Sequence, residues 1–286
     1  MPDRSFFGSS TGIPTTDRSD TGFEHQTTRK NVKPKPNQQI EILYGIHPVF
    51  EALQAGRRTF HQIYLVQDAQ NNRLKPITDL AGKQRVSIQW LSRAALAVKC
   101  GTDLHQGVAA AVTPYPFCDL SEIITAPAGD SEKGRFILMI DSVEDPQNLG
   151  ALVRTALCAG ADGIIIPKDR AASPTPAASK ASAGAIEHAG ICQVTNLVNT
   201  IQILQKQGIW VFGTAADAKT SLFSTKIAFP TAVVIGSEEK GIRPLVQKNC
   251  DFLVSIPQYG PVSSLNASAA GAVVMYEILR RRSMLC

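Results

Sequence analysis

The chain has 286 residues, of which 44% are hydrophobic and 19% are charged, and its formal net charge is +5. These values are typical of a globular protein with one large or two medium domains, and the slight positive charge is compatible with a nucleic-acid partner without requiring one. The six cysteines form no CxxC pair and no apolar run is long enough to span a bilayer, which disfavours a zinc finger, a CxxC redox protein and a membrane protein. Since the N-terminus lacks the apolar core of a signal peptide, we expect reduced thiols and a cytoplasmic location.

The first 38 residues form a distinct segment. They are rich in Ser, Thr, Asp, Pro and Asn and contain few aliphatic side chains. Such a composition cannot bury a hydrophobic core, so residues 1–38 are predicted to be a disordered tail. Its basic end, around Arg29 to Lys35, is compatible with phosphate contacts, but a solvated linker is the simpler interpretation.

Residues 39–116 are predicted to form a small α/β domain. A helix pattern follows Tyr44-Gly45-Ile46-His47-Pro48, and shorter helices and strands then alternate up to a buried strand at 108–112. The segment contains neither a metal-ligand set nor a nucleophile–base pair, so its expected role is binding. Residues 117–134, rich in Asp, Ser, Glu, Pro and Gly, are predicted to be a linker.

The second domain is predicted to occupy residues 135–286. Its first strand, 136–140, is fully apolar, and helices alternate with further apolar strands at 163–166, 192–195, 209–213 and 232–236. A last short strand ends near Ser255, and a long amphipathic helix closes at Arg282. Continuous apolar strands alternating with helices predict a parallel sheet that is covered on both faces.

Ligands of open parallel sheets bind beyond the carboxyl ends of the strands. Three predicted strands end in glycine or polar residues, at Gly213-Thr214, Gly236-Ser237-Glu238 and Ile256-Pro257. Glycine allows a ligand to approach the backbone closely. No GxGxxG follows the first strand and no GxxxxGK[ST] occurs, which disfavours a Rossmann oxidoreductase and a P-loop NTPase.

Two pairs of polar residues begin helices of this domain. Asn148 and Arg154 lie six residues apart, and such residues bind a ribose or base edge and a phosphate respectively. Ser264 and Asn266 precede the last helix, where free backbone N–H groups point outward. Each pair alone is also explained by helix capping or by an exposed charge.

Three segments taken together resemble, in order and spacing, the signature motifs of the SpoU (TrmH-like) RNA 2′-O-ribose methyltransferases. They are NLGALVRTALCAGADGIIIPKDR, VVIGSEEKGI and IPQYGPVSSLNASAA. The segments YGIHPVFEAL, HQG, TNL and IWVFGTA resemble the subgroup that methylates a guanosine ribose in 23S rRNA. The resemblance extends over residues 41–283 and does not include the N-terminal tail.

The resemblance implies a C-terminal SPOUT-type domain with a deep trefoil knot and an N-terminal L30e-like domain that binds RNA. It also implies S-adenosyl-L-methionine as cofactor, 23S rRNA as substrate and a homodimer with composite active sites. No metal is expected, because the leaving group of a sulfonium methyl donor is already activated. The motifs place five residues at catalytic or substrate-positioning positions: Asn148, Arg154, Glu238, Ser264 and Asn266. They place four at cofactor-binding positions: Thr214, Gly236, Ile256 and Leu265.

Two alternatives remain open at this point. A tRNA substrate is compatible with the same family, although its tRNA enzymes usually lack the extra N-terminal domain. An RNA-binding assembly protein that has lost catalysis would retain the fold, but the intact residues Asn148, Arg154, Glu238 and Asn266 argue against it.

Overall fold

The structure is a computed structural model, and it describes residues 39–67, 72–125, 134–261 and 264–284. The predicted tail, residues 1–38, lies outside the described residues. Within the described ranges the chain forms two β-sheets, the first from residues before 113 and the second from residues after 135.

The first sheet belongs to a small α/β layer structure. Its elements are β1 (Glu41–Tyr44), α1 (Ile46–Ala55), β2 (Phe60–Val66), α2 (Lys75–Gln84), β3 (Ile88–Leu91), α3 (Arg93–Cys100) and β4 (Val108–Val112). The strand order is β1-β4-β2-β3, in which β2 and β3 are parallel and β4 is antiparallel to both its neighbours. Strand β1 was not predicted, because four residues are too few to show a periodic pattern.

The second sheet forms the core of the C-terminal part. After α4 (Leu120–Thr125), the elements are β5 (Phe136–Ile140), α5 (Pro146–Cys158), β6 (Gly163–Pro167), α6 (Pro176–Ala181), a 3₁₀ turn (Ala185–His188), β7 (Ile191–Val194), α7 (Leu197–Lys206), β8 (Trp210–Thr214), β9 (Thr231–Ile235), α8 (Pro244–Asn249), β10 (Phe252–Val254) and α9 (Ala267–Arg282). The order is β10-β8-β9-β5-β6-β7, and every pairing is parallel. The predicted parallel sheet is therefore confirmed.

Both faces of this sheet are buried, which explains its apolar strands. On β5, Phe136, Leu138 and Ile140 point to a core shared with α5 and α9. Ile137 and Met139 point to the opposite core, shared with α7 and α8. Successive strand residues face opposite sides, so a strand covered on both sides must be apolar throughout.

The predicted linker differs from the structure in its first part. Within residues 117–134, α4 forms and buries Ile123, which is 3% exposed and packs in the core beside α7. An added Cβ at Gly163 would lie 2.6 Å from the Ile123 side chain, so β6 and α4 approach closely. The Pro and Gly residues that suggested a linker lie mainly in residues 126–133, outside the described residues.

A buried ion-pair network joins the two sheets. The Arg58 guanidinium, 4% exposed, donates to Glu187 (Nε to Oε2, 2.7 Å) and to Glu41 (Nη1 to Oε2, 2.6 Å). The Ser179 hydroxyl of α6 donates to the other oxygen of Glu187 at 2.8 Å. Glu187 is 1% exposed. Its buried carboxylate, in the C-terminal part of the chain, is therefore neutralised by Arg58 of the N-terminal part.

Candidate active site

Strands β8, β9 and β10 end side by side at one edge of the second sheet. Beyond β9, the chain turns back on itself through Ser237 and Gly241, whose backbone groups bond reciprocally at 3.2 and 2.9 Å. A Cβ added to Gly236 would lie 2.1 Å from the carbonyl carbon of Gly241 and 2.3 Å from the Ile242 nitrogen. Only glycine therefore permits this close return of the backbone.

A first cavity, of about 450 Å³, lies at this edge. Its lining includes all four residues that the sequence assigned to cofactor binding: Thr214, Gly236, Ile256 and Leu265. The backbone N–H groups of Ile256 and Leu265 donate to no acceptor among the described residues. The Thr214 hydroxyl is already committed, because it donates to the Val234 carbonyl at 3.1 Å. The cavity thus combines apolar side chains, such as Ile235 and Val254, with polar ones and with backbone donors left free by the described residues, as a nucleoside-type ligand requires.

A polar cluster stands where the first cavity meets α5 and α9. The Asn148 amide donates to Glu238 Oε1 at 2.8 Å, and the Asn266 amide donates to Asn148 Oδ1 at 3.1 Å and also to Glu238 Oε1. The Ala267 N–H approaches the same carboxylate oxygen at 3.4 Å. Glu238 Oε1 therefore receives these donors, while Oε2 receives no donor from the described residues.

Asn266 both caps α9 and contacts the polar cluster. Its Oδ1 accepts from the backbone of Ser268 at 3.0 Å and of Ala269 at 3.4 Å, which caps α9. Its Nδ2 is directed to the polar cluster instead. Capping fixes the side chain, and the fixed side chain then helps to position Glu238.

A second cavity, of about 400 Å³, lies on the other side of the polar cluster. It shares the turn Ser237–Gly241 and Ala267 with the first cavity. Its remaining lining comes from the β5–α5 loop, Asn148, Arg170 and Arg243. The cluster of Asn148, Glu238 and Asn266 thus lies at the boundary of two adjoining cavities.

The structure does not bring all five predicted catalytic residues together. Ser264 lines the first cavity and is exposed, outside the hydrogen-bonded cluster. Arg154 is exposed on α5 and makes no hydrogen bond or ion pair with the described residues. Six residues of α-helix place it about 9 Å along the axis and about 120° around it from Asn148. Within one chain, Arg154 therefore does not belong to the cluster.

Sequence inspection missed one pair that supports the site. Asp141, fully buried at the end of β5, accepts from Arg243 Nε at 2.7 Å and from the Arg243 backbone N–H at 2.8 Å. This pair ties the β5–α5 loop to the chain that follows the Ser237–Gly241 turn. The available signal was an acidic residue directly after a fully apolar strand.

Two kinds of feature are absent from the described residues. No group of three or more His, Cys, Asp or Glu side chains there is arranged to hold a metal ion. No helix in the described ranges combines the length and apolar character needed to cross a bilayer.

Two family models match consecutive parts of the chain. The SpoU rRNA Methylase family matches residues 135–276, and the RNA 2′-O ribose methyltransferase substrate binding domain matches residues 42–118. The first match contains both cavities and the polar cluster, and the second contains the first sheet.

Relatives and solved structures agree with these matches. The chain is 38% identical over 246 residues to the 23S rRNA (guanosine-2′-O-)-methyltransferase RlmB of Escherichia coli, which covers 85% of this chain and 99% of the relative. It is 40% identical over 247 residues to YacO of Bacillus subtilis, whose name places it in the TrmH family of tRNA/rRNA methyltransferases; 86% of this chain and 98% of YacO are covered.

The fold is similar to that of the SpoU methyltransferase AviRb from Streptomyces viridochromogenes, with a TM-score of 0.71, 23% identity and coverage of 86% of this chain and 91% of AviRb. Since the relatives match over nearly their whole length and the motif residues converge at one edge of the sheet, the chain belongs to the SpoU rRNA methylase family of RNA 2′-O-ribose methyltransferases.

Proposed function

We propose that the protein transfers a methyl group from S-adenosyl-L-methionine to the ribose 2′-hydroxyl of a guanosine in 23S rRNA. The observation that carries this proposal is the polar cluster of Asn148, Glu238 and Asn266 at the boundary of two cavities. One cavity takes the methyl donor and the other takes the nucleotide. The similarity to RlmB over almost the whole relative supports the choice of 23S rRNA.

The first cavity is the proposed cofactor site. Its volume and the free N–H groups of Ile256 and Leu265 suit an adenosine, whose ring edge and ribose accept and donate hydrogen bonds. The bound cofactor supplies an electrophilic methyl group on a positively charged sulfur.

The polar cluster orients the nucleophile. A ribose hydroxyl attacks only when its oxygen is aligned and its proton is shared with an acceptor. Glu238 presents Oε2 as that acceptor, because Oε1 is already held by Asn148, Asn266 and Ala267. The two asparagines keep the carboxylate in one orientation, so little reorganisation is needed during the reaction.

Arg154 acts, in this proposal, in the site of a partner subunit. Arg154 is exposed on α5, a helix that packs against α9, and the exposed residues Ala269, Val273 and Tyr276 of α9 recur at helical spacing. Such an uncovered apolar stripe suits a second copy of the chain. The trefoil knot of the C-terminal domain belongs to the same proposal.

Residues 39–116 are proposed to bind the RNA substrate, in line with the substrate-binding family model. A tRNA substrate is the second candidate, because the name of the Bacillus subtilis relative includes both RNA classes. A silent assembly protein is disfavoured by the intact polar cluster.

The proposal is tested by mapping ribose methylation. Ribosomal RNA and tRNA from cells that lack the gene are compared with those from the parent strain, and we expect one guanosine of 23S rRNA to lose its 2′-O-methyl group. The purified protein with labelled S-adenosyl-L-methionine should restore that methyl group on 23S rRNA and leave tRNA unlabelled. Labelling of tRNA alone would favour the second candidate, and the absence of labelling would favour the silent protein.

Gly236→Ala is expected to weaken S-adenosyl-L-methionine binding by about 100-fold or more, because a backbone displacement of about 1 Å at a preorganised site has effects of that size. The new Cβ would lie 2.1 Å from a backbone atom of Gly241, which no side-chain rotation can relieve. Calorimetric titration measures the affinity. Gly82→Ala in α2 is the control, since nothing lies within 4 Å of the added atom. Unchanged affinity in Gly236→Ala would place the cofactor elsewhere.

Mixed dimers test the proposed role of Arg154. Arg154→Ala and Glu238→Gln are each expected to be nearly inactive. When equal amounts are unfolded together and refolded, half of the dimers combine the two variants, and one of their two sites is intact. Activity should therefore return to about a quarter of the wild-type value in a two-fold symmetric dimer with shared sites. If Arg154 served its own subunit, the mixture would stay inactive.

A further inference from the structure

The second cavity is built from two loops held in uncommon backbone conformations. Ser142, in the β5–α5 loop, has φ 59°, and Arg170, in the loop after β6, has φ 55°. The loops are joined by a hydrogen bond from Ala172 N–H to the Val143 carbonyl at 2.7 Å. Non-glycine residues rarely adopt positive φ, and such residues cluster at ligand sites. Both of these residues line the same cavity.

The cavity also carries opposite charges that have no partner among the described residues. The side chains of Glu144, Arg170 and Lys240 make no hydrogen bond or ion pair with the described residues, although all three line it. Three other charges are committed: Asp145 caps α5 through Gln147 N–H at 3.0 Å, Glu238 belongs to the polar cluster, and Arg243 is held by Asp141.

A further carboxylate, that of Glu239, also lines the second cavity. Glu239 lines both cavities, so it lies on their shared wall, whereas Glu144 lines the second cavity alone. Glu144 is exposed and follows the strained Ser142–Val143 segment. A carboxylate at this position faces the nucleotide cavity without facing the cofactor cavity.

We propose that the second cavity binds the target guanosine, with the Glu144 carboxylate accepting hydrogen bonds from guanine N1–H and from the exocyclic N2 amino group, and with Arg170 and Lys240 contacting the adjoining phosphates. This inference rests on the proposed methyltransferase function and adds the residue that selects the base. Guanine presents two adjacent donors on its Watson–Crick edge, which match the two oxygens of a carboxylate. Adenine presents an acceptor at N1, so its lone pair would face the negative charge.

In this proposal, base selection and phosphate binding are carried out by different side chains. Enzymes that act on a single nucleotide commonly draw it out of its stack and recognise its exposed edge in a pocket. Phosphate contacts position the chain without reading the base. Glu144 should therefore control which nucleotide is methylated, while Arg170 and Lys240 should control affinity for any RNA.

The test uses three synthetic rRNA fragments that differ only at the methylated nucleotide found by mapping: guanosine, inosine or adenosine. Inosine keeps N1–H and lacks the N2 amino group. Wild-type protein should show about a 10-fold lower kcat/KM on inosine than on guanosine, as expected for one lost hydrogen bond to a charged group. Adenosine should be lower by about 100-fold, the size of a well-formed bidentate contact.

Glu144→Ala should lower kcat/KM on guanosine to the inosine level or below and abolish the difference between these two fragments. Glu122→Ala, in α4, is the control and should leave all three rates unchanged. Arg170→Ala and Lys240→Ala should raise KM for the three fragments equally and reduce the salt dependence of binding. Thermal melts verify that each variant is folded. Because the substituted side chains are exposed, we expect the melting temperatures to be unchanged.

Three results would overturn the inference. They are retention of the wild-type preference for guanosine over inosine in Glu144→Ala, loss of that preference in Glu239→Ala instead, and a mapped nucleotide other than guanosine. In the first two cases methyl transfer to a guanosine still occurs, so the proposed function stands; in the third, ribose methylation stands and the choice of guanosine falls with the inference. If the wild-type protein methylates no RNA at all, the proposed function fails and this inference fails with it.

Discussion

Glu238→Gln is expected to lower kcat for methyl transfer by about 10²- to 10³-fold, the range seen when one preorganised polar group of an active site is lost. The substitution is nearly isosteric. The glutamine carbonyl oxygen can still accept from Asn148 and Asn266 in the place of Oε1. The amide nitrogen, however, replaces the free acceptor Oε2 with a donor, so the ribose hydroxyl loses its hydrogen-bond acceptor. Single-turnover kinetics with saturating RNA isolates this step.

The affinity for S-adenosyl-L-methionine should remain within about twofold in this variant, because the backbone donors of the first cavity are unchanged. Glu122→Gln is the matched control, since among the described residues the Glu122 carboxylate accepts from Asp119 N–H at 2.8 Å and glutamine can keep that bond. Wild-type turnover in Glu238→Gln would remove Glu238 from the reaction and leave the cluster a structural role.

Arg58→Met is expected to lower the free energy of unfolding by about 3–5 kcal/mol, because it leaves a buried carboxylate without its cation. Glu187 is 1% exposed and would keep only the Ser179 hydroxyl as a partner in this network. Equilibrium unfolding in urea, followed by circular dichroism, measures the loss.

The double variant Arg58→Met/Glu187→Leu is the decisive comparison. Replacing both members of a buried pair by apolar side chains of similar size is commonly far less harmful than removing one. We expect the double variant to recover at least half of the stability lost in Arg58→Met. If both variants were as stable as the wild type, the two sheets would not depend on this pair for their association.

The repeating patterns of the sequence were enough to predict much of the fold. Fully apolar strands such as Phe136–Ile140, alternating with helices, predicted a parallel sheet covered on both faces, and the structure confirms it. The glycine and polar residues that end β8 and β9 correctly indicated the edge of the sheet where the two cavities lie. These features could be predicted because the patterns that indicate a buried strand or a chain reversal involve residues close in the sequence.

The arginines at the end of α9 show where local reasoning was incomplete. From local position alone, cations at a helix C-terminus are expected to interact favourably with the helix dipole. In the structure, Arg280 and Arg281 bind the buried Glu277 and hold the pKa of its carboxyl down to about 2. Arg281 also donates to the carbonyls of Leu222 and Phe223, at 3.0 and 2.9 Å. Those partners are far away in the sequence, so no helical pattern could reveal them.

The domain boundary and the active site likewise depend on contacts between residues that are far apart in the sequence. The sequence predicted a linker at 117–134, but its first part folds against the second sheet, and Arg58 and Glu187, which are 129 residues apart, join the two parts. Asn148 lies 90 residues from Glu238 and 118 from Asn266, yet the three side chains share hydrogen bonds. The sequence by itself determined the residue types and the strands that carry them. Only the tertiary structure decided which of them meet, because those contacts depend on the strand order and on close backbone approaches such as that of Gly236 to Gly241.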